Sequence, residues 1–154
     1  MTRALLRAKG REPKDRFAGI PHAVMDHACY TTLSHKAARL LLDLAKQYNS
    51  VNNGDLSAAW SQLHERGWNS RDTLGRAIQE LVDHSLILKT RQGGRNKCNL
   101  YALTWRAIDE CKGKLDIAST RTPPGDWQRW EPKSIQHDRE SSKVSPAVGQ
   151  AKAA

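Results

Sequence analysis

The sequence predicts a mainly α domain with a small β-hairpin, three helices forming the core and a charged wing beside them. Three observations predict it. Leu33, Ala37, Leu41, Leu44, Ala45 and Tyr48 recur at three- and four-residue steps, and so do Leu74, Ala77, Ile78, Leu81 and Val82. That is the period of helices with a buried face. Between them lies a tight corner, Gly67-Trp68-Asn69-Ser70, and after them two strand-forming runs flank a glycine-containing basic loop.

The first helix is expected over Ser34 to Tyr48. Ser34 suits the N-cap, where its hydroxyl can take an orphan amide, and Leu33 stands where a staple residue would. Leu40 and Leu42 widen the apolar stripe, which predicts burial on more than one side. Asn49 to Gly54 is rich in turn-formers, and Asp55-Leu56 reads as a short strand. A second helix is expected over about Ser57 to Glu65, anchored by Trp60. Upstream, Ile20 to Met25 fits either a strand or a short helix laid across the bundle.

The third helix is expected from Ser70 to about His84, with Ser70, Arg71, Asp72, Thr73 and Arg76 turned outward near its start and Gln79 further along. Gly75 costs about 1 kcal/mol relative to alanine in a helix. Close approach to a DNA backbone or tight helix packing would each rationalise it. The strands are Leu86–Thr90 and Leu100–Trp105, with Tyr101, Leu103 and Trp105 sharing the core face by alternation. The loop between them carries Arg91, Arg95 and Lys97 with no acid, and Gly93-Gly94 supplies its turn.

Charge bears on partners. The chain has 154 residues, 25 Lys and Arg against 16 Asp and Glu, and a net charge of +9. An excess of this kind attracts phosphates, although ribosomal and membrane-surface proteins share it. No run of about 18 apolar residues exists, so no membrane span is expected. Three cysteines without regular spacing suggest a reducing, cytoplasmic setting rather than a disulfide framework. Residues 1–19 read as a basic flexible arm containing Arg3, Arg7, Lys9, Arg11, Lys14 and Arg16, either a solvating tail or a nucleic-acid contact. The folded domain is expected over 20–112, and 113–154, with its Thr122-Pro123-Pro124-Gly125 run, as a mostly disordered tail. Trp127 and Trp130, three apart in that tail, could form a short turn docked on the domain.

A helix-turn-helix with a positively charged wing suits duplex DNA. Recognition helices enter the major groove by their first turns, which nominates Asn69, Ser70, Arg71, Thr73, Arg76 and Gln79. Arginine can fork onto guanine edges, while hydroxyls and helix-start amides suit phosphate oxygens. In the wing the candidates are Arg91, Gln92, Arg95, Asn96 and Lys97, placed to meet the phosphate backbone or the minor groove. The alternative for each is an ordinary solvated residue, with Arg71 and Arg76 pairing with Asp72 or Glu80. No catalytic motif is present, and His22, His27, Cys29 and His35 match no common zinc spacing, so neither enzyme activity nor a metal or other cofactor is expected. His64 and His84 suit the last turns of their helices.

The run Ser70-Arg-x-Thr-Leu-x-Arg-Ala-Ile-x-x-Leu81, followed by Leu86-Ile-Leu-Lys89 and the Gly93-Gly94 loop, resembles the winged helix-turn-helix of GntR-like regulators. From Ile20-Pro21 to the wing, the chain is also similar to the N-terminal DNA-binding domains of phage and plasmid replication proteins. The resemblance covers about residues 20–105. It departs from GntR-like regulators at Gly75, where many carry a basic residue, and after the wing, where the stretch broken by Pro123-Pro124-Gly125 is too short for an effector domain. It implies sequence-specific binding of double-stranded DNA by a small transcription regulator of a bacterium or mobile element, cytoplasmic and nucleoid-associated. A replication-initiation factor of a phage, plasmid or genomic island, or a winged-helix protein or RNA interaction module, is the alternative. A homodimer and a protein partner bound through the C-terminal tail stay open.

Overall fold

The computed structural model describes residues 16–133, with Ala4 ahead of them. The elements run α1 (His22–Asp26), α2 (Ala28–Thr31), α3 (His35–Gln47), β1 (Leu56–Ser57), α4 (Trp60–His64), α5 (Arg71–Asp83), β2 (Ile87–Arg91) and β3 (Leu100–Leu103). Two single 3-10 turns follow, at Cys111–Gly113 and Asp126–Arg129. The three strands form one antiparallel sheet in the order β1-β3-β2. Helices and a small sheet therefore share one core. The segment Ile20 to Met25, open between strand and helix, enters α1.

Helix α3 starts where a cap permits it. The Ser34 hydroxyl accepts the Ala37 N–H at 3.2 Å, and Ser34 itself donates from its N–H and hydroxyl to the Glu80 carboxylate of α5 at 2.6 and 2.7 Å. One serine thus begins α3 and ties it to α5. Ala37, Leu40, Leu41, Leu44 and Ala45 are buried against Leu74, Ala77 and Leu81 of α5 in one core cluster. Leu40 is fully buried, and Asp43 is buried toward Arg66 and Trp68, so α3 is covered on more than one side, but Leu42 departs from expectation: it is 49% exposed, on the open face of the helix.

Past α3 the chain reverses through Asn49–Gly54, with positive φ at Ser50 and Gly54. Asn53 is fully buried and organises this corner. Its side-chain amide donates to the carbonyls of Leu103, Arg106 and Ala107, and its oxygen accepts the Leu103 N–H at 2.8 Å. The Gln47 side chain brackets Ser57 from both sides, donating to its carbonyl and accepting its N–H, each at 2.8 Å. Ser57 therefore belongs to β1, one residue later than the expected strand. For that reason α4 is a five-residue helix beginning at Trp60 rather than at Ser57.

Helix α5 matches the expected span closely. Ser70 caps it, accepting the Thr73 N–H at 3.2 Å. It ends in a Schellman-type turn: the Ser85 N–H donates to the Val82 carbonyl, the Leu86 N–H donates to the Leu81 carbonyl, and Ser85 takes a left-handed φ of 58°. In the sheet, β3 is central, with Ile87 opposite Leu103 and Lys89 opposite Tyr101. Thr90 is bulged out of register between Lys89 and Arg91, and its hydroxyl donates to the Gly54 carbonyl. Tyr101, Leu103 and Trp105 join the main core, as alternation predicts. Leu100 and Ala102 on the opposite face are buried too, which alternation alone did not foresee.

The domain does not stop at residue 112. The Asp116 N–H donates to the Thr90 carbonyl and the Gly125 N–H to the Thr104 carbonyl, so the segment runs back beside the sheet. Trp127 enters the core edge-on to His27, with ring centroids 5.5 Å apart. Trp130 stacks on His84 at 4.4 Å and donates from Nε1 to the Asp83 carbonyl at 2.8 Å. Residues 113–133, expected within a mostly disordered tail, are thus laid on the domain, and two tryptophans supply the apolar surface that does it. The remaining tail, and the arm ahead of Arg16, lie outside the described residues.

Candidate nucleic-acid interface

The corner before α5 is built around a buried carboxylate. Asp43 of α3 accepts from Arg66 Nε at 2.8 Å and Nη2 at 2.6 Å, and from Trp68 Nε1 at 2.9 Å. Arg39 lies over the Trp68 ring at 5.5 Å and donates to the Arg66 carbonyl. The His64 ring meets the Trp68 carbonyl at 2.9 Å. These contacts set where α4 ends and α5 begins, and so where Asn69, Ser70 and Arg71 stand. Sequence reasoning missed the cluster around Asp43, since the hydrogen bonds that Asp43 and Arg39 make to the corner span 23 to 27 residues.

Asn69, Ser70, Arg71, Arg76 and Gln79 are exposed, while Thr73 is half-buried. Each long side chain already has a neighbour. The Arg71 guanidinium sits over the Trp60 ring at 5.1 Å, and Trp60 stacks in turn on His64 at 4.9 Å. Arg76 pairs with Asp72 at 2.7 Å, with side chains 81% and 72% exposed. A pair so open to water holds its partners weakly, by about 0 to 1 kcal/mol. Gln79 donates to Asp83 at 2.8 Å, and Glu80 is turned away toward Ser34. With Arg71 and Arg76 against Asp72, Glu80 and Asp83, α5 is not itself cationic. At its first turn Arg71 stands beside Asp72, and the unbalanced positive charge lies beyond β2, at Arg95 and Lys97.

The wing turns at Gly94-Arg95-Asn96-Lys97, where Gly94 and Lys97 exchange two backbone hydrogen bonds of 3.0 and 3.1 Å and Asn96 takes φ 64°. The Gly93-Gly94 pair is therefore not the turn itself. Gly93 is required for closeness instead: a Cβ there would lie 2.7 Å from the Asn99 nitrogen and the Lys97 carbonyl. Arg95, Asn96 and Lys97 are exposed at the tip. Arg91 is turned back into the hairpin and donates twice to the Cys98 carbonyl, at 3.3 and 3.0 Å, so it braces the wing. Gln92 is exposed, donates its N–H to Asp116, and accepts from Lys89 at 3.2 Å.

A run of contacts links wing and helix. Cys98 Sγ lies 3.8 Å from Arg91 Nη2 and 3.6 Å from Ser57 Oγ, and Ser57 leads directly into α4, whose Trp60 carries Arg71. The base of the wing and the first turn of α5 are thus each in contact with the segment Ser57–Trp60 that leads into α4. No signal in the sequence pairs Trp60 with Arg71.

Among the described residues, no group of three or more His, Cys, Asp or Glu side chains stands where it could hold a metal ion. Two histidines meet the backbone of Cys29: His27 accepts its N–H, and His84 meets its carbonyl at 2.8 Å. Burial pushes the Cys29 thiol above its usual ionisation range, and burial followed by the charges of Asp55 and Asp109 does the same to Cys111. No helix among these residues is long and apolar enough to cross a membrane. No protein-family model matches the sequence, and comparison with curated proteins and with solved structures gives no match.

Proposed function

We propose that this chain binds double-stranded DNA sequence-specifically through a winged helix-turn-helix, as a small transcription regulator. The observation that carries the reading is a pair of contact groups, Cys98 with Arg91 and Ser57 at the base of the wing and Arg71 over Trp60 at the start of α5, joined by the short chain step from Ser57 to Trp60. They join a basic hairpin to the first turn of an exposed helix, the arrangement a duplex meets with one groove and its flanking phosphates. The element order α3-β1-α4-α5-β2-β3, with strand order β1-β3-β2, supports it as well.

In this reading Arg71, Asn69 and Gln79 face base edges, with Arg76 released from Asp72 as phosphates or bases replace that carboxylate. Arg95 and Lys97 meet the backbone, while Arg91 holds the hairpin in shape. Ser70 contributes through its cap, and Thr73 through the amide that the cap receives. The test is selection from a random duplex library with the full chain, followed by anisotropy titration of the enriched site against a scrambled one. An enriched site bound at least a thousandfold tighter fits specific recognition. A library that returns no enriched site refutes it.

A further inference from the structure

Gly75 is the fifth residue of α5, and the fold gives it no reason to be glycine. Its φ is not on the positive side, so no left-handed turn requires it. Among the described residues a Cβ built there meets nothing within 4 Å, so no neighbouring element of them needs the space. Of the two explanations the sequence allowed, tight helix packing is removed. Glycine nevertheless costs a helix about 1 kcal/mol relative to alanine.

The surroundings make the position a notch. Arg71, one turn before, is drawn over Trp60; Arg76 is drawn to Asp72; and Gln79, one turn after, is drawn to Asp83. Among the described residues no long side chain folds over the bare backbone, and residue 75 is exposed. The N–H groups of a mid-helix turn are bonded within the helix, so the notch offers no free donor, and what it chiefly exposes is the Gly75 Cα. An apolar group gains most by entering it. On the major-groove floor the apolar group is the thymine C5-methyl, since other base edges there present hydrogen-bonding atoms.

We infer that Gly75 is the point of closest approach of α5 to the duplex, and that the notch it leaves reads a thymine methyl. The inference rests on the duplex-binding reading above. Burying one methyl is worth about a fourfold change in affinity. Filling the notch with a methyl of the protein's own forces the helix outward and weakens binding by about tenfold or more.

The experiment uses the full chain, its Gly75→Ala variant, and the duplex that the wild type enriches from the random library. Gly75→Ala is expected to raise Tm by about 4 °C or more, because alanine is the better helix former and meets no obstacle. The same variant is expected to bind that duplex about tenfold more weakly. Replacing each thymine of the site by deoxyuridine in turn is expected to weaken the wild type about fourfold at one position, and Gly75→Ala much less there. A higher Tm with unchanged affinity overturns the inference, as does a lower Tm, which would give the glycine a structural duty. Equal tolerance of deoxyuridine at every position also overturns it. A wild type that enriches no site removes the duplex reading first and the notch with it, so the two failures are told apart before the variant is made.

Discussion

Replacing Asp43 by alanine removes the acceptor around which the corner before α5 is folded. Two groups lose their partner. The Trp68 indole N–H belongs to a residue 3% exposed, so no water replaces the carboxylate, and a buried donor left unsatisfied costs about 1–3 kcal/mol. The Arg66 side chain is 41% exposed and regains water, so its share is near that of a surface pair, about 0–1 kcal/mol. Together these put Asp43→Ala at about 1–4 kcal/mol of destabilisation. Asp43→Asn keeps an oxygen for Trp68 and surrenders only the charge, which puts it at about 1 kcal/mol. Urea unfolding followed by far-UV circular dichroism measures both. Trp68→Phe supplies a check, since it removes the orphaned donor, and in the Asp43→Ala background it should cost less than it does alone. Strict additivity of the two substitutions, or equal losses for alanine and asparagine at position 43, would refute the reasoning.

Two further outcomes follow from the packing and the thiols. Trp127→Ala empties a site in the core and should cost about 3–5 kcal/mol in the same unfolding assay, which would place residues 113–133 within the cooperative domain. A thiol reagent at neutral pH should modify Cys98, half-exposed beside Arg91, well before Cys29 and Cys111, as mass spectrometry of the early product would show. For those two thiols the folded state favours the neutral form, so their contribution is complete below the ordinary value of 9.0 and is lost as pH rises through the raised folded values.

The parts of the fold that rest on local chemistry were legible in the residues. Ser34 and Ser70 cap their helices, the Leu74-Ala77-Leu81 stripe faces the core, and Tyr101, Leu103 and Trp105 share a face. What escaped depends on partners distant in the chain. Ser57 looks like the start of a helix until Gln47 is seen to bind its backbone on both sides. Leu42 has the same side chain as Leu40 and the opposite fate, because the positions of α5, β1 and the Arg66–Trp68 corner decide which sides of α3 are covered. Arg91 reads as one more cation of the loop, yet the Cys98 carbonyl draws it inward. Gly93-Gly94 looks like the turn, whereas Asn96 accepts the left-handed angle and Gly93 serves a close approach. A short turn docked through Trp127 and Trp130 was readable, but their partners His27 and His84 were not, nor was the return of the polar residues before them beside the sheet. Within the candidate site, exposure at the start of α5 and at the wing tip was readable, but the stacking of Arg71 on Trp60 was not.

The salt dependence of duplex affinity bears most directly on the proposed interface. The full chain and its Arg95→Ala/Lys97→Ala variant are titrated with one duplex across a range of salt concentrations, and log K is plotted against log salt. Each phosphate contact contributes a slope of about −0.9, so losing two wing cations should leave the variant's line shallower by about 1.8 with Tm unchanged. Superimposed lines, or a wild type whose binding ignores salt, would contradict the assignment of wing and helix to one DNA-binding surface.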